Sequence, residues 1–343
     1  MILKNIEVHN IVEFRALKNR EGLEMLRVPQ IVREKLYFGE QAERMSAGYT
    51  GVEFRFVMKS DVVKLRLQKK YLEDNRCNHV LHNMHIYYGG IQGAWSDHSR
   101  FLEKDTFEIV IEKPKNMDTL KEMAKLANDV WDPEVVRVIL DGGYYMLLDV
   151  IGEVEPPKKE QMPQKTLLTY GSSITHGSNA LDQSHTWAAL LARDLQMDLR
   201  NLGMAGACAM EPEMIDFLAR MGENDEWHTA ILELGVNVAN FDNDFIIERV
   251  TNTLKQIAGR NLDKKVYIIS PFYFYDDFYE GGNGKRWRTL ISEIVQKLAY
   301  PNVEYINGLD CLGNITYLCA DEVHPNIYGV QKIYEQLKRK MIK

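Results

Sequence analysis

Hydrophobic and polar positions change their rhythm along this chain near residue 155. Before it they alternate. Val52, Phe54, Phe56 and Met58 fall on one side of a strand, with Glu53, Arg55 and Lys59 on the other. Val63, Leu65 and Leu67 alternate with Lys64, Arg66 and Gln68, and Phe107, Ile109 and Ile111 and then Val136, Val138 and Leu140 repeat the pattern. Asp141-Gly142-Gly143 reads as a tight turn into a last strand ending at Val150. Period-two strands between Gly, Asp and Asn turns predict an antiparallel β-sandwich or jelly roll. One short helix is expected near Met117 to Ala127. Residues 156–164, with three prolines and a charge run, read as a stiff, extended linker.

After residue 165 the rhythm becomes strand, glycine turn, helix. Thr166 to Tyr170, Asp198 to Asn201, Thr229 to Leu234, Lys265 to Ser270 and Val303 to Ile306 read as five strands. Helices are expected from Trp187 to Leu195, with Ser184 as the N-cap, around Met214 to Leu218, from Asp244 to Ala258, and after Pro325. Short apolar runs alternating with helices predict parallel βαβ units, hence a three-layer α/β/α domain on a five-stranded parallel sheet. The expected organisation is a sandwich over 1–155, a linker over 156–164 and an α/β domain over 165–343.

Composition narrows the partners. A formal charge of -7 argues against nucleic acid or an anionic membrane surface. The opening residues reach a carboxylate by Glu7 without an unbroken apolar run, so a signal peptide is not expected, and no window is apolar enough to span a bilayer. These readings lead to the expectation of a cytoplasmic protein, compatible with a homo-oligomer. Cys77, Cys208, Cys311 and Cys319 lack metal or disulfide spacing and read as free thiols. Cys77, His79, His82 and His85 form a cluster that strand alternation splits between faces, so a structural or surface role is favoured over zinc; neither a metal nor a cofactor is expected.

The chemistry follows from the strand ends. Ser173 lies just past the first parallel strand, and Gly206 and Asn237 follow the second and third. All three therefore belong on the carboxyl edge of the sheet, where open α/β sheets bind ligands. Serine hydrolase chemistry needs a nucleophile, a base, a group to orient the base, and donors for an oxyanion. Ser173 is the nucleophile candidate, His324 the base and Asp321 its partner. The Ser173 and Gly206 N–H groups with the Asn237 amide are the oxyanion candidates. Pro325 suits the first turn of the helix after His324. Candidate substrate contacts are His176 and, from the aromatic run Pro271 to Gly282, Tyr273 and Tyr275. That run could equally form a lid or a contact between protomers, and Tyr87 to Trp95 could stack on a sugar or simply pack.

These blocks resemble those of the SGNH hydrolases, the GDSL-type esterases. The first is Gly171-Ser172-Ser173-Ile174-Thr175, the second ends at Gly206, the third is Gly235-Val236-Asn237-Val238, and Asp321-Glu322-Val323-His324-Pro325 is the fifth. The similarity covers about 165 to 340. The Gly-Ser-Ser-Ile-Thr variant resembles a branch of carbohydrate acetylesterase-like enzymes that carry a β-rich domain ahead of the catalytic one. Two residues depart from the family pattern: Ser172 and Val238 each stand where an aspartate is usual. The resemblance implies hydrolysis of a small ester through an acyl-enzyme, with an acetylated sugar as the favoured substrate. An acyltransferase using the same site, or a non-catalytic carbohydrate-binding protein, are the alternatives.

Overall fold

The computed structural model describes residues 1–18, 20–69, 83–94, 106–141 and 143–342, with Asn83 described by its backbone alone. Two compact units divide the chain, and the division is not a single cut. Met1–Pro29 and Ser46–Gln164 make the first; Gln30–Met45 and Lys165–Lys343 make the second.

The strands of the first unit are β1 (Ile2–Leu3), β2 (Ile6–His9), β3 (Glu13–Ala16), β4 (Leu23–Leu26), β5 (Glu53–Met58), β6 (Val62–Lys69), β7 (Asn83–Tyr88), β8 (Ile91–Gln92), β9 (Thr106–Glu112), β10 (Val135–Asp141), β11 (Tyr145–Ile151) and β12 (Val154–Glu155). Among the described residues they form two antiparallel sheets. One runs β1-β2-β5-β10-β7-β8 with β12 paired to β5, and the other runs β3-β4-β11-β6-β9. The expected alternation supplies their common core. Val8, Phe54, Phe56 and Val138 from one sheet meet Val63, Leu65, Ile109 and Leu147 from the other. Each such side chain taken fully out of water contributes roughly 1.5–3 kcal/mol, which makes this face-to-face burial the main cohesion of the unit.

The other face of β5 is buried as well, because its polar residues satisfy one another. Glu53 accepts from Arg55 Nε at 2.8 Å and Arg137 Nη2 at 2.6 Å, and the Arg137 guanidinium lies 4.1 Å from the Trp131 ring centre. Burial works to raise the Glu53 acid, but the two guanidinium charges hold it well below the ordinary carboxylate range. Residues 156–164, expected as an extended linker, fold back on this unit instead. Lys159–Gln161 form a 3₁₀ turn, Gln161 donates to Asp132 at 3.1 Å, and Met162 packs against the cluster around Trp131. His85 is buried on β7, whereas Cys77, His79, His82, Trp95 and Gly142 lie outside the described residues.

Helices are α1 (Gln30–Arg33), α2 (Glu40–Ser46), α3 (Met117–Leu126), α4 (Ser173–His176), α5 (Trp187–Asp194), α6 (Pro212–Glu223), α7 (Asn243–Thr253), α8 (Asn283–Leu298), α9 (Gly308–Cys311) and α10 (Ile327–Met341). The second unit is built on β13 (Thr166–Tyr170), β14 (Asp198–Asn201), β15 (Thr229–Glu233), β16 (Lys265–Ile269) and β17 (Val303–Ile306), all parallel, in the order β14-β13-β15-β16-β17. The strand order reverses at β13, so the crevice at its carboxyl end is the natural ligand position of such a sheet. Leu167, Leu168, Ala230 to Leu232, Val266, Ile268 and Ile269 are fully buried, as strands covered on both faces require.

Two expected helix starts differ. Thr186, not Ser184, caps α5, its hydroxyl accepting from Ala189 N–H at 3.1 Å; Asp182 instead caps the 3₁₀ turn holding Ser184. Pro325 does not open α10. Asn326 is its N-cap, accepting from Gly329 N–H at 3.0 Å, and Pro325 sits one residue earlier in an isolated bridge to Leu318. Asn takes the cap because its side-chain oxygen can satisfy an orphan helix N–H, which proline cannot. No described helix is long and apolar enough to cross a membrane.

Candidate active site

Five parallel strands present their loops on one edge, and the site grows from the loop after β13. Tyr170 ends the strand, Gly171 turns, and Ser172 caps the short helix α4, of which Ser173 is the first residue. This turn is braced from the neighbouring strand. Glu233, the last residue of β15, accepts at one oxygen from Ser172 N–H (2.8 Å), Ser172 Oγ (2.7 Å) and Thr175 Oγ1 (3.0 Å). Ser172, Ser173, Thr175 and Glu233 are all buried. Glycine is required at 171, since a Cβ there would stand 2.6 Å from the Glu233 carboxylate and 2.4 Å from Thr175 Oγ1. The sequence resemblance left Ser172 where an aspartate is usual; here an acid reaches that turn from the next strand.

Burial pushes the Glu233 carboxyl up to about 7, against the hydrogen bonds from Ser172 and Thr175 that favour its ionised form. Its second oxygen is buried without a partner among the described residues. Burial also raises the neighbouring Cys208 thiol, and the Glu233 charge adds to the effect.

His324 reaches Ser173 from the far end of the sequence. Its Nε2 lies 2.7 Å from Ser173 Oγ, and its Nδ1 lies 2.8 Å from Asp321 Oδ2. The other Asp321 oxygen accepts the backbone N–H groups of Val323 at 3.1 Å and His324 at 2.9 Å. Burial works to raise the Asp321 acid, but these bonds and the imidazole hold it below its ordinary value. The carboxylate thus fixes both the loop and the ring. The loop is closed on itself: Cys319 N–H donates to the His324 carbonyl at 2.8 Å, and Asn326 Nδ2 donates to the carbonyls of Thr316 and Leu318. A serine hydroxyl, an imidazole and a carboxylate in this chain of contacts have the geometry for proton transfer from serine to histidine.

Gly206 and Asn237 follow β14 and β15, the two strands flanking β13. Asn237 Oδ1 accepts from Cys208 N–H at 3.0 Å, which leaves Nδ2 as the donor end of that amide. Gly206 adopts φ +66, the left-handed region where glycine is favoured. Among the described residues, the N–H groups of Ser173 and Gly206 and the Asn237 Nδ2 group have no acceptor.

The candidate substrate contacts separate. His176 Nδ1 lies 3.0 Å from the Gly203 carbonyl and is half-buried, tied to the β14 loop. Tyr273 lines a cleft of about 770 Å³ with Tyr279, Lys285 and Glu293; neither Tyr275, Ser173 nor His324 is on its wall. The backbone N–H of Tyr275 donates to the Glu322 carbonyl at 2.8 Å, which ties the aromatic segment to the Asp321–His324 loop. Arg288 of α8 holds that segment too, pairing with Asp277 and donating to the Pro271 carbonyl at 3.2 Å. Cys208 and Cys311 are buried free thiols, and Cys319 is half-buried.

Two residues escaped the sequence reading. Glu233 left a signal, an acid ending the apolar run Ala230 to Leu232. Gln41, whose Nε2 donates to the Ala205 carbonyl at 3.0 Å, left none, being 164 positions away in the chain.

In fold, the chain is similar to a salicylyl-acyltransferase, SsfX3, from a tetracycline biosynthetic pathway: TM-score 0.75, 17% identity, 98% of this chain and 94% of that chain covered. It is also similar to a family two carbohydrate esterase from Cellvibrio japonicus, with TM-score 0.61, 12% identity, and 98% and 94% covered. An acetyl xylan esterase from Butyrivibrio proteoclasticus gives TM-score 0.57 and 11% identity, with 99% and 97% covered. No curated protein matches by sequence. The model of the GDSL-like Lipase/Acylhydrolase family matches residues 164–343, more than half of the chain. This chain therefore belongs to the GDSL-like lipase/acylhydrolase family and is a hydrolase of that fold.

Proposed function

We propose that the protein hydrolyses small acyl esters, in particular acetyl esters of a carbohydrate, through an acyl-enzyme on Ser173. The reading is carried by one observation, the contact of His324 Nε2 with Ser173 Oγ at 2.7 Å while Nδ1 is held by Asp321 at 2.8 Å. His324 takes the Ser173 proton as Oγ attacks the carbonyl carbon. Asp321 orients the ring and stabilises the imidazolium. The N–H groups of Ser173 and Gly206 and the Asn237 amide receive the oxyanion. Collapse of the tetrahedral species breaks the bond to the alcohol oxygen, which leaves with the proton from His324. Water then repeats the sequence on the acyl group and releases the acid.

The sugar preference is supported by fold similarity to the carbohydrate esterases. A second reading, acyl transfer to an acceptor hydroxyl in place of water, is favoured by the TM-score of 0.75 to the salicylyl-acyltransferase. Both are tested with acetylated sugars, aryl acetates and aryl esters, measuring free acid against acyl transfer to added alcohols. Free acetate release that Ser173→Ala loses by at least ~10³-fold is expected. Transfer product in excess of free acid would favour the second reading, and full activity in Ser173→Ala would refute both.

A further inference from the structure

The family match begins at residue 164, yet Gln30–Met45 belongs to the compact unit that carries Ser173. The segment is anchored at two points. Tyr37 N–H donates to Glu211 Oε1 at 2.8 Å, and the rings of Tyr37 and Phe38 stand edge-on to Phe241. From α2, Gln41 Nε2 then donates to the Ala205 carbonyl at 3.0 Å. Arg44 donates to the oxygen of the same amide, which fixes the amide with its NH₂ toward Ala205.

The Ala205 carbonyl and the Gly206 N–H are the two ends of one planar trans peptide, so they point in opposite directions. Whatever grips the carbonyl therefore aims the N–H. Local backbone alone does not fix that direction: Gly206 is solvent-exposed, sits at φ +66, and as glycine meets little steric resistance to turning the peptide over. Apart from its chain neighbours, Gln41 Nε2 is also the one group within 4 Å of where a Gly206 Cβ would lie, among the described residues. We infer that Gln41 is a positioning residue for the oxyanion site: by holding the Ala205 carbonyl it directs the Gly206 N–H toward the anion that develops on the acylated Ser173. A segment from the first half of the chain thereby completes a site that the family-matched region does not finish alone.

This inference rests on the esterase reading, and the test separates the two. Wild-type hydrolysis of 4-nitrophenyl acetate that Ser173→Ala abolishes establishes that reading; its absence would sink the reading itself. Gln41→Met keeps the length and removes the donor. Its kcat is expected to fall on the order of tenfold, less than the ~10²–10³ lost when an oxyanion donor is removed outright, with KM within about twofold. The inhibition constant of a boronic acid, which makes a tetrahedral adduct, should rise by the same factor. Gln41→Glu, which sets a carboxylate against the carbonyl, should lose more. Thermal unfolding is followed in each variant. If Gln41→Met does not fold, Arg44→Met carries the test, with about threefold loss in kcat expected from a freed Gln41 amide. Folded variants with kcat and boronate affinity within twofold of wild type, or with a change in KM alone, would overturn the inference.

Discussion

The two halves of the candidate site are held in opposite ways. Ser173 is buried at the end of a central parallel strand, and its turn is fastened to Glu233 by three hydrogen bonds. His324 is held on a loop whose Asp321 side chain is about half exposed and bonds within its own loop. One side borrows its precision from the fold; the other carries it locally. The difference teaches where substitutions should be felt. Changes beside Ser173 disturb the packed sheet as well as the chemistry, whereas changes at His324 and Asp321 should remove activity from a protein that remains folded.

The sharpest way to break this contrast is His324→Ala. We expect ester hydrolysis to fall by at least ~10³-fold in steady-state kinetics. The melting temperature should shift by only about 2 °C, since exposed-loop substitutions are usually mild. Asp321→Asn should cost about 10²-fold, below the ~10⁴ typical of a buried triad aspartate, because water can partly replace an exposed carboxylate. A loss of fold in either variant would mean that the loop is structural after all.

The smaller effect lies on the buried side and appears as a pH dependence. Glu233 faces Ser172, Thr175 and the Cys208 thiol, with its acid raised from 4.5 to about 7. The folded state therefore binds this proton more tightly than the unfolded chain does. Its contribution is present in full below about pH 4.5 and is lost as pH rises toward 7, by on the order of 3 kcal/mol. Denaturant titrations across that range should show the decline, and Glu233→Gln, which cannot ionise, should flatten it. An equal slope in both proteins would remove Glu233 from the account.

The parallel domain was readable because strands buried on both faces leave short apolar runs ending at glycines. Ser173, Gly206 and Asn237 were readable as candidates because they follow those ends, and Asp321 and His324 because they come just before the last helix. The sandwich core was equally plain in the alternation of Val63, Leu65 and Leu67, but its outer face was not: alternation sets Glu53 and Arg55 opposite the core face without showing that they are buried, Glu53 pairing with both Arg55 and Arg137. Helix α8 was obscured by its polar opening and its buried Arg288, a charge inside the stripe of Trp287, Ile291 and Ile294. Helices α1 and α2 interrupt a strand-rich region, and Tyr37 and Phe38 between them find their partners far along the chain, at Glu211 and Phe241. Such contacts have no local periodicity to announce them. Pro325 was misread as a helix start because the true cap, Asn326, is its neighbour.

The central claim is that Ser173 is a nucleophile activated by His324. Reaction with a fluorophosphonate followed by peptide mass spectrometry tests it without knowledge of the substrate. The adduct should appear on Ser173 in the wild type and form at least ~10²-fold more slowly in His324→Ala. An unmodified Ser173, or equal rates in the two proteins, would contradict it.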